Sequence, residues 1–150
     1  MAYGPIARRW FQTFAKVHGA LLVRTDGRPH RLGRSQYALV LVTVGAKTGR
    51  QRVVPLLYMP DDDPAADERA FVLIASNYGQ ERPPAWYFNL RATPDAEVRV
   101  AGRRLEVRAH ELTGDERAAM LERCAAYNKQ WRDYRTSVSR HLPVLRLVAR

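Results

Sequence analysis

The chain has 150 residues, of which 46% are hydrophobic and 27% charged, and a formal net charge of +10. This length suits one domain with a core that needs no disulfide or structural metal, and the composition excludes a wholly disordered protein. The single cysteine, Cys124, excludes an internal disulfide and favours a reducing compartment. Since no apolar run is long enough for a bilayer span or a signal peptide, we expect a cytoplasmic protein. The basic charge predicts an acidic ligand, a nucleic acid or an anionic membrane as partner, although a GC-rich genome also enriches Arg.

The first predicted element is a helix over residues 5–22, with Pro5 in its first turn. Apolar residues recur along it at steps of three or four, and these are Ile6, Trp10, Phe14, Val17 and Leu21. We expect this apolar face to pack on the domain. A basic amphipathic helix lying on the inner membrane surface is the alternative. The polar segment Thr25–Ser35 predicts a loop, so residues 1–36 form an N-terminal helix and loop before a core over 37–150.

The core begins with Tyr37–Val44, an unbroken apolar run that predicts a strand buried on both faces. A turn over Gly45–Arg50 leads to a strand over Arg52–Met59, in which Pro55 indicates a sheet edge or a bulge. The acidic segment Asp61–Arg69 predicts a solvated hairpin tip. Its aspartates lack the Gly-x5-Glu continuation of a calcium loop.

Later elements follow from alternation and from helix start signals. They are a strand over Ala70–Ala75, a short helix over Ala85–Arg91, a hairpin of Glu97–Val100 with Arg104–Leu112, a helix from a Thr113–Glu116 capping box to Tyr127, and a strand over Leu142–Val148. Cys124 lies at helical spacing from Met120 and Leu121, which predicts a buried, unreactive thiol. Four or five hairpin-joined strands with peripheral helices indicate an α+β domain around a small barrel.

Several common kinds of site lack their sequence patterns. The four histidines, His18, His30, His110 and His141, are too far apart for metal-ligand spacing, so we expect no metal. Neither a G-x-S-x-G elbow nor a G-x-G-x-x-G fingerprint occurs, and the Lys in Gly45–Gly49 precedes the second Gly, unlike that of a phosphate-binding P-loop.

Three short segments nevertheless have chemical content. The Gly45–Arg50 turn combines backbone N–H groups with Lys47, Thr48 and nearby Arg52, a set suited to an anion, although a solvated basic turn has the same composition. The segment Ser76–Gly79 follows a strand. The helix at Pro84–Leu90 carries three consecutive aromatics and an Asn, which needs hydrogen-bond partners if it is buried.

Taken together, these segments resemble the deazaflavin-dependent nitroreductase family. The pattern is T-x-G-x-K-T-G-x-x-R-x-x-P from Thr43 to Pro55, A-S-x-x-G from Ala75 to Gly79, and P-x-W-Y-x-N-L-x-x-x-P from Pro84 to Pro94. A D-Y-x(5)-R-x-x-P stretch from Asp133 to Pro143 is also similar to the family. The resemblance implies an α+β split β-barrel, related to FMN-binding and pyridoxamine-phosphate-oxidase-like barrels. It further implies an oxidoreductase that passes hydride from reduced coenzyme F-420 to a quinone, a nitroaromatic or another conjugated acceptor.

The resemblance also assigns roles to residues. Lys47 and Thr48, with the backbone at Ala46, match the segment that holds the phosphate and acidic tail, and Arg52 matches a second tail contact. The implied lining of the deazaflavin ring comprises Val53, Val54, Pro55, Leu56 and Leu57 on one strand, Ile74, Ala75, Ser76 and Asn77 at a strand end, Ala85, Trp86, Tyr87, Phe88 and Asn89 on the short helix, and the aromatics Trp131 and Tyr134. Hydroxyls at Tyr134, Tyr78 or Ser76 are the candidate proton donors, and the sequence does not choose among them.

Two departures from the family pattern bear on specificity. The family often has Lys and a Gly pair where Asn77, Tyr78 and Gly79 stand. The loss of a Lys is expected to lower affinity for the anionic tail, and a Tyr in place of a Gly is expected to narrow the pocket. The alternative functions are an FMN-dependent reductase on the same barrel, a basic nucleic-acid-binding domain and a cofactor carrier without turnover.

Overall fold

The computed structural model describes residues 16–28, 30–33, 36–61, 70–77, 80–129, 131–132 and 141–150. Within them, three helices of at least eight residues and seven strands follow one another along the chain. The helices are α1 over residues 16–24, α2 at Ala85–Ala92 and α3 at Gly114–Tyr127. The strands are β1 Arg31–Gly33, β2 Gln36–Val44, β3 Gln51–Pro60, β4 Ala70–Ile74, β5 Asp95–Val100, β6 Arg103–Glu111 and β7 Val144–Ala149.

Six of these strands close into an antiparallel barrel. The order of paired strands is β2-β3-β4-β7-β6-β5, and a β2–β5 pairing at Val40↔Arg99 and Leu41↔Val98 completes the circle. The predicted α+β split barrel is therefore confirmed, but the expected four or five strands are too few, because six strands form the barrel. A seventh strand, β1, lies in the segment predicted as a loop and pairs with β2. At three residues it is too short to show any periodicity.

The core follows from the alternation of side chains along the strands. Inward-facing residues such as Leu39, Leu41, Val98 and Leu147 fill the barrel. Alternate positions on β2, including Ala38, Val40 and Val42, face outward and are covered by Leu22 of α1. The predicted strand buried on both faces is confirmed, because the barrel interior and a helix take one face each.

Helix α1 packs on the barrel through a side that its apolar periodicity did not predict. A Cβ at Gly19 would lie 2.7 Å from the Pro55 Cγ, so the glycine allows a close approach to β3. Residues two positions away point roughly opposite on a helix, and Val17 and Leu21 are accordingly 69% and 47% exposed. The expectation that these two residues pack on the domain is wrong. Residues 5–15 of the predicted helix lie outside the described residues.

A second layer covers β4 and β7. Helix α3 places Met120 and Cys124 in a cluster with Val72 and Val144. Cys124 is fully buried, as predicted, and burial raises the pKa of its thiol to about 12, which keeps it in the unreactive protonated form. The helix starts after Thr113, yet Thr113 makes no side-chain capping bond and the predicted capping box is not formed.

The acidic segment after β3 begins with a buried ion pair. The Asp61 side chain is 3% exposed, and its carboxylate accepts hydrogen bonds from Arg146 Nε at 2.7 Å and Arg123 Nη1 at 3.2 Å. Arg146 also bonds Glu116 at 2.9 Å, which occupies the carboxylate predicted for the capping box. For Asp61 the solvated hairpin tip is therefore wrong, because two arginines from α3 and β7 converge on it. Residues 62–69 lie outside the described part of the chain.

Candidate functional site

The Gly45–Arg50 turn is a compact loop whose backbone bonds are mostly internal. Gly45 N–H donates to the Arg50 carbonyl at 2.8 Å, Gly49 N–H donates to the Gly45 carbonyl at 2.8 Å, and Arg50 N–H donates to Thr48 Oγ1 at 3.2 Å. Gly49 has a φ of 68°, which glycine adopts without strain. Among the residues that the structure describes, no group accepts a hydrogen bond from the N–H of Lys47 or Thr48.

The turn also gathers positive charge. Lys47, Arg50 and Arg52 are exposed, and within the described ranges none has a carboxylate within 4.0 Å. A Cβ at Gly45 would lie 2.7 Å from Thr48 Oγ1 and 3.5 Å from Arg52 Nε, so both side chains fold against this glycine. Two free N–H groups and three cations at one corner form a donor set that suits a phosphate or carboxylate.

Asn89 joins this turn to helix α2. Its side chain is buried, with 8% of the residue exposed. Ala46 N–H donates to Asn89 Oδ1 at 2.9 Å, and Asn89 Nδ2 donates to Thr43 Oγ1 at 3.1 Å. The partners required of a buried Asn are thus present. The structure brings the basic turn and the aromatic helix together, as the predicted site requires.

The split of the barrel lies between β3 and β4. These strands pair only at Met59↔Val72 and Pro60↔Phe71 within the described residues, whereas β3 pairs with β2 along nearly its whole length. Continued pairing would set Pro55 opposite Ser76, but the strands diverge instead. Pro55 has no N–H to donate across the gap, and its place on an unpaired edge is as predicted.

The two walls of the split contain most of the predicted ring-lining residues. On β3, Val53 is 40% exposed and positions 54–57 are half-buried. On the opposite wall, Ala75 is buried and Ser76 half-buried. Asn77 adopts a φ of 46°, and its Nδ2 donates to the Arg82 carbonyl at 2.8 Å. This bond links Asn77 to the segment that precedes α2.

Helix α2 divides its aromatics between core and surface. Trp86 and Tyr87 are each 7% exposed and belong to the barrel core, whereas Phe88 is half-buried, Ala85 is exposed, and the Arg82 guanidinium lies 5.8 Å from the Phe88 ring centre. The Tyr87 hydroxyl donates to Glu111 Oε1. Burial, and then this bond to a carboxylate, raise the pKa of Tyr87. Trp86 and Tyr87 thus close one end of the barrel.

The C-terminal aromatics are only partly described. Trp131 is 6% exposed, packs in the α3 cluster and stacks on Tyr127 with ring centres 6.2 Å apart. Tyr78 and Tyr134, two of the three candidate proton donors, lie outside the described residues. Thr43 was missed as a site residue because it ends an apolar strand and is 2% exposed, and only its place in the matched pattern marked it.

Comparison with known proteins identifies the family. Residues 14–148 match the family described as F420H(2)-dependent quinone reductase. An F420H(2)-dependent quinone reductase of Mycobacterium tuberculosis (strain ATCC 25618 / H37Rv) is 34% identical over 139 residues, which are 90% of this chain and 89% of the relative.

Solved structures agree. One described as an F420-H2 dependent reductase has a TM-score of 0.62 and 29% identity, covering 79% of this chain and 97% of its own. Another, described as a domain-swapped dimer, has a TM-score of 0.63 and 26% identity, covering 94% of this chain and 98% of its own. The expected oxidoreductase class and deazaflavin coenzyme are confirmed: this chain belongs to the F420H(2)-dependent quinone reductase family.

Proposed function

We propose that the basic turn and the split form one site, in which reduced coenzyme F-420 lies with its phosphate and acidic tail at the turn and its ring between β3 and Ser76. The observation that carries this proposal is the pair of bonds from Asn89, which attach the turn to α2 beside the open edge of β3. A quinone is the proposed acceptor, and nitroaromatics are a second acceptor class that the same site would take.

The residues present fit the anionic part of this coenzyme. Lys47 supplies a mobile point charge, while Arg50 and Arg52 offer bidentate geometry to phosphate or carboxylate. The Thr48 oxygen accepts a bond from Arg50 N–H, which leaves the hydroxyl proton available for an anion. The Ala46 N–H is used by Asn89, so the backbone donors of the site are those of Lys47 and Thr48.

The bound coenzyme supplies the hydride, that is, a proton and two electrons. The chain contributes orientation: side chains of β3 present an apolar wall at Val53–Leu57, and Trp86 and Tyr87 close the barrel behind it. Correct alignment of two reactants contributes up to about 7–11 kcal/mol to lowering a barrier. A quinone that accepts hydride becomes a hydroquinone anion and needs one proton, for which Ser76, Tyr78 and Tyr134 are the proposed donors.

Cofactor titration of the purified protein tests this function. We expect oxidised coenzyme F-420 to bind with a Kd at least about tenfold below that of FMN, because FMN has no oligoglutamate tail for the basic turn. Rapid mixing of the reduced coenzyme with menadione should restore the absorbance of the oxidised deazaflavin in step with hydroquinone formation. Tighter binding of FMN would favour the flavin alternative, and binding without turnover would favour the carrier.

A peripheral membrane contact on the cytoplasmic face is the second proposal, because quinones are commonly dissolved in lipid. Val17 and Leu21 stand exposed one helical turn apart on α1, with Lys16 and Arg24 also exposed. Exposed apolar residues flanked by cations suit the surface of an anionic bilayer. None of the described helices is both long and apolar enough to cross a bilayer.

Vesicle co-sedimentation tests this contact. We expect the chain to pellet with vesicles containing phosphatidylglycerol, and Val17→Glu/Leu21→Glu to pellet at least about fivefold less. The matched control is Ala118→Glu/Ala119→Glu, which adds the same charge at exposed positions of α3. If both variants lose vesicle binding equally, net charge alone accounts for the binding and α1 makes no specific contact with the membrane.

A further inference from the structure

We infer that Asn89 and Thr43 act as a positioning pair that fixes the shape of the basic turn and thereby sets selectivity for coenzymes that carry a phosphate. This inference rests on the proposed function. The resemblance implies that Asn89 contacts the coenzyme. We infer instead that Asn89 acts indirectly, by positioning the turn.

The first step is an account of the Asn89 side chain. Its Oδ1 accepts from Ala46 N–H at 2.9 Å and its Nδ2 donates to Thr43 Oγ1 at 3.1 Å. With 8% of the residue exposed, little of this amide is available to a ligand. The backbone carbonyl of Asn89 accepts from Thr93 N–H at 2.9 Å and so ends helix α2. Both the side chain and the backbone of Asn89 are thus hydrogen-bonded, so its side chain is a fixed attachment point for the turn.

The second step concerns which N–H groups the turn presents. Since Gly45, Gly49 and Arg50 donate within the turn and Ala46 donates to Asn89, the remaining donors of the turn are Lys47 and Thr48. Without the Asn89 acceptor, the Gly45–Ala46 peptide would keep only the bond that its carbonyl accepts from Gly49 N–H, and the backbone at the exposed Ala46 would be less constrained. The direction of the Lys47 N–H depends on the backbone dihedral angles of Ala46, so Asn89 influences an anion donor that it does not contact.

The third step is the role of Thr43. Its hydroxyl accepts from Asn89 and is 2% exposed, at the end of β2 where the strand enters the turn. The Ala46 N–H can only donate and therefore requires the Asn89 oxygen to face it, while the Thr43 hydroxyl satisfies the Asn89 nitrogen at the other end of the amide. Valine at position 43 keeps the shape but removes the acceptor, whereas serine keeps it.

The experiment compares two ligands on the same variants by fluorescence titration. One is coenzyme F-420, and the other is its phosphate-free precursor form, the same deazaflavin ring and ribityl chain without phosphate or glutamates. We expect Asn89→Ala to raise the Kd of the full coenzyme roughly tenfold and that of the phosphate-free form less than about twofold. Thr43→Val should raise the first Kd about threefold, and Thr43→Ser should match the wild type.

The outcomes are distinct. A general loss of folding would weaken both ligands together and lower Tm, and equal weakening of the two by Asn89→Ala overturns the inference. So does an unchanged preference for the phosphorylated ligand in Asn89→Ala and Thr43→Val. Failure of the proposed function would be visible earlier, as a wild-type protein that does not prefer the phosphorylated ligand at all.

Discussion

Replacing Lys47 or Arg52 by alanine is expected to raise the Kd of coenzyme F-420 roughly ten- to hundredfold, because a hydrogen bond to a charged group contributes about 1.5–3 kcal/mol and each 1.4 kcal/mol is tenfold. Both side chains lie at the turn, exposed and without a described carboxylate partner. Their loss should leave the free energy of unfolding within about 0.5 kcal/mol of the wild type, as for ordinary surface substitutions. Fluorescence titration and denaturant unfolding measure the two quantities.

Arg103→Ala is the matched control for this prediction. Arg103 is also exposed and also lacks a described carboxylate partner, but it begins β6, directly after the β5–β6 turn. The pairing of β2 with β5 places that turn level with the start of β2, at the opposite end of the barrel from the basic turn. Raising salt should weaken coenzyme binding more in the control than in Lys47→Ala. Equal affinity in all three variants and the wild type would place the anionic tail elsewhere.

Replacing Asp61 by alanine is expected to cost about 3 kcal/mol of folding free energy, the lower end of the cost of breaking a buried ion pair. The carboxylate is 3% exposed, but its partners Arg146 and Arg123 are 27% and 48% exposed and can recover some hydration. For a chain of this size the loss corresponds to a fall in Tm of roughly 6–12 °C. Thermal unfolding without ligand gives this value.

Glu106→Ala serves as the comparison for Asp61. The Glu106 side chain is 78% exposed and lies 3.7 Å from Arg150, so removing it should change the unfolding free energy by less than about 1 kcal/mol. If Asp61→Ala lowers the free energy of unfolding no more than Glu106→Ala does, the ion pair does not stabilise the contact between α3, β3 and β7.

Several strands and helices were predictable because their signals are local. The apolar run at Tyr37–Val44, the alternation in the β5–β6 hairpin and the spacing around Cys124 each report on burial of one segment. Helix α2 was bounded by prolines on either side, and the structure places it within a residue of the prediction. The site pattern was recognisable for the same reason, since its conspicuous residues lie in three short segments.

Other features depended on contacts between distant segments. The closure of β2 on β5, the divergence of β3 from β4, and the convergence of Arg123 and Arg146 on Asp61 each join residues that no local pattern relates. The same holds for α1, where one glycine against Pro55 turned Val17 and Leu21 outward although periodicity alone predicted the reverse.

The amino-acid sequence was therefore sufficient for the strands, the helices and the segments that bear the chemistry, because apolar alternation and motif spacing are local, and its resemblance to a known family added the split barrel and the class of coenzyme. Which face of each segment is buried, and which donors remain free for a ligand, was decided only by the tertiary structure. A hydrogen bond such as Ala46 N–H to Asn89 Oδ1 spans 43 positions, and only the folded barrel sets its two atoms 2.9 Å apart.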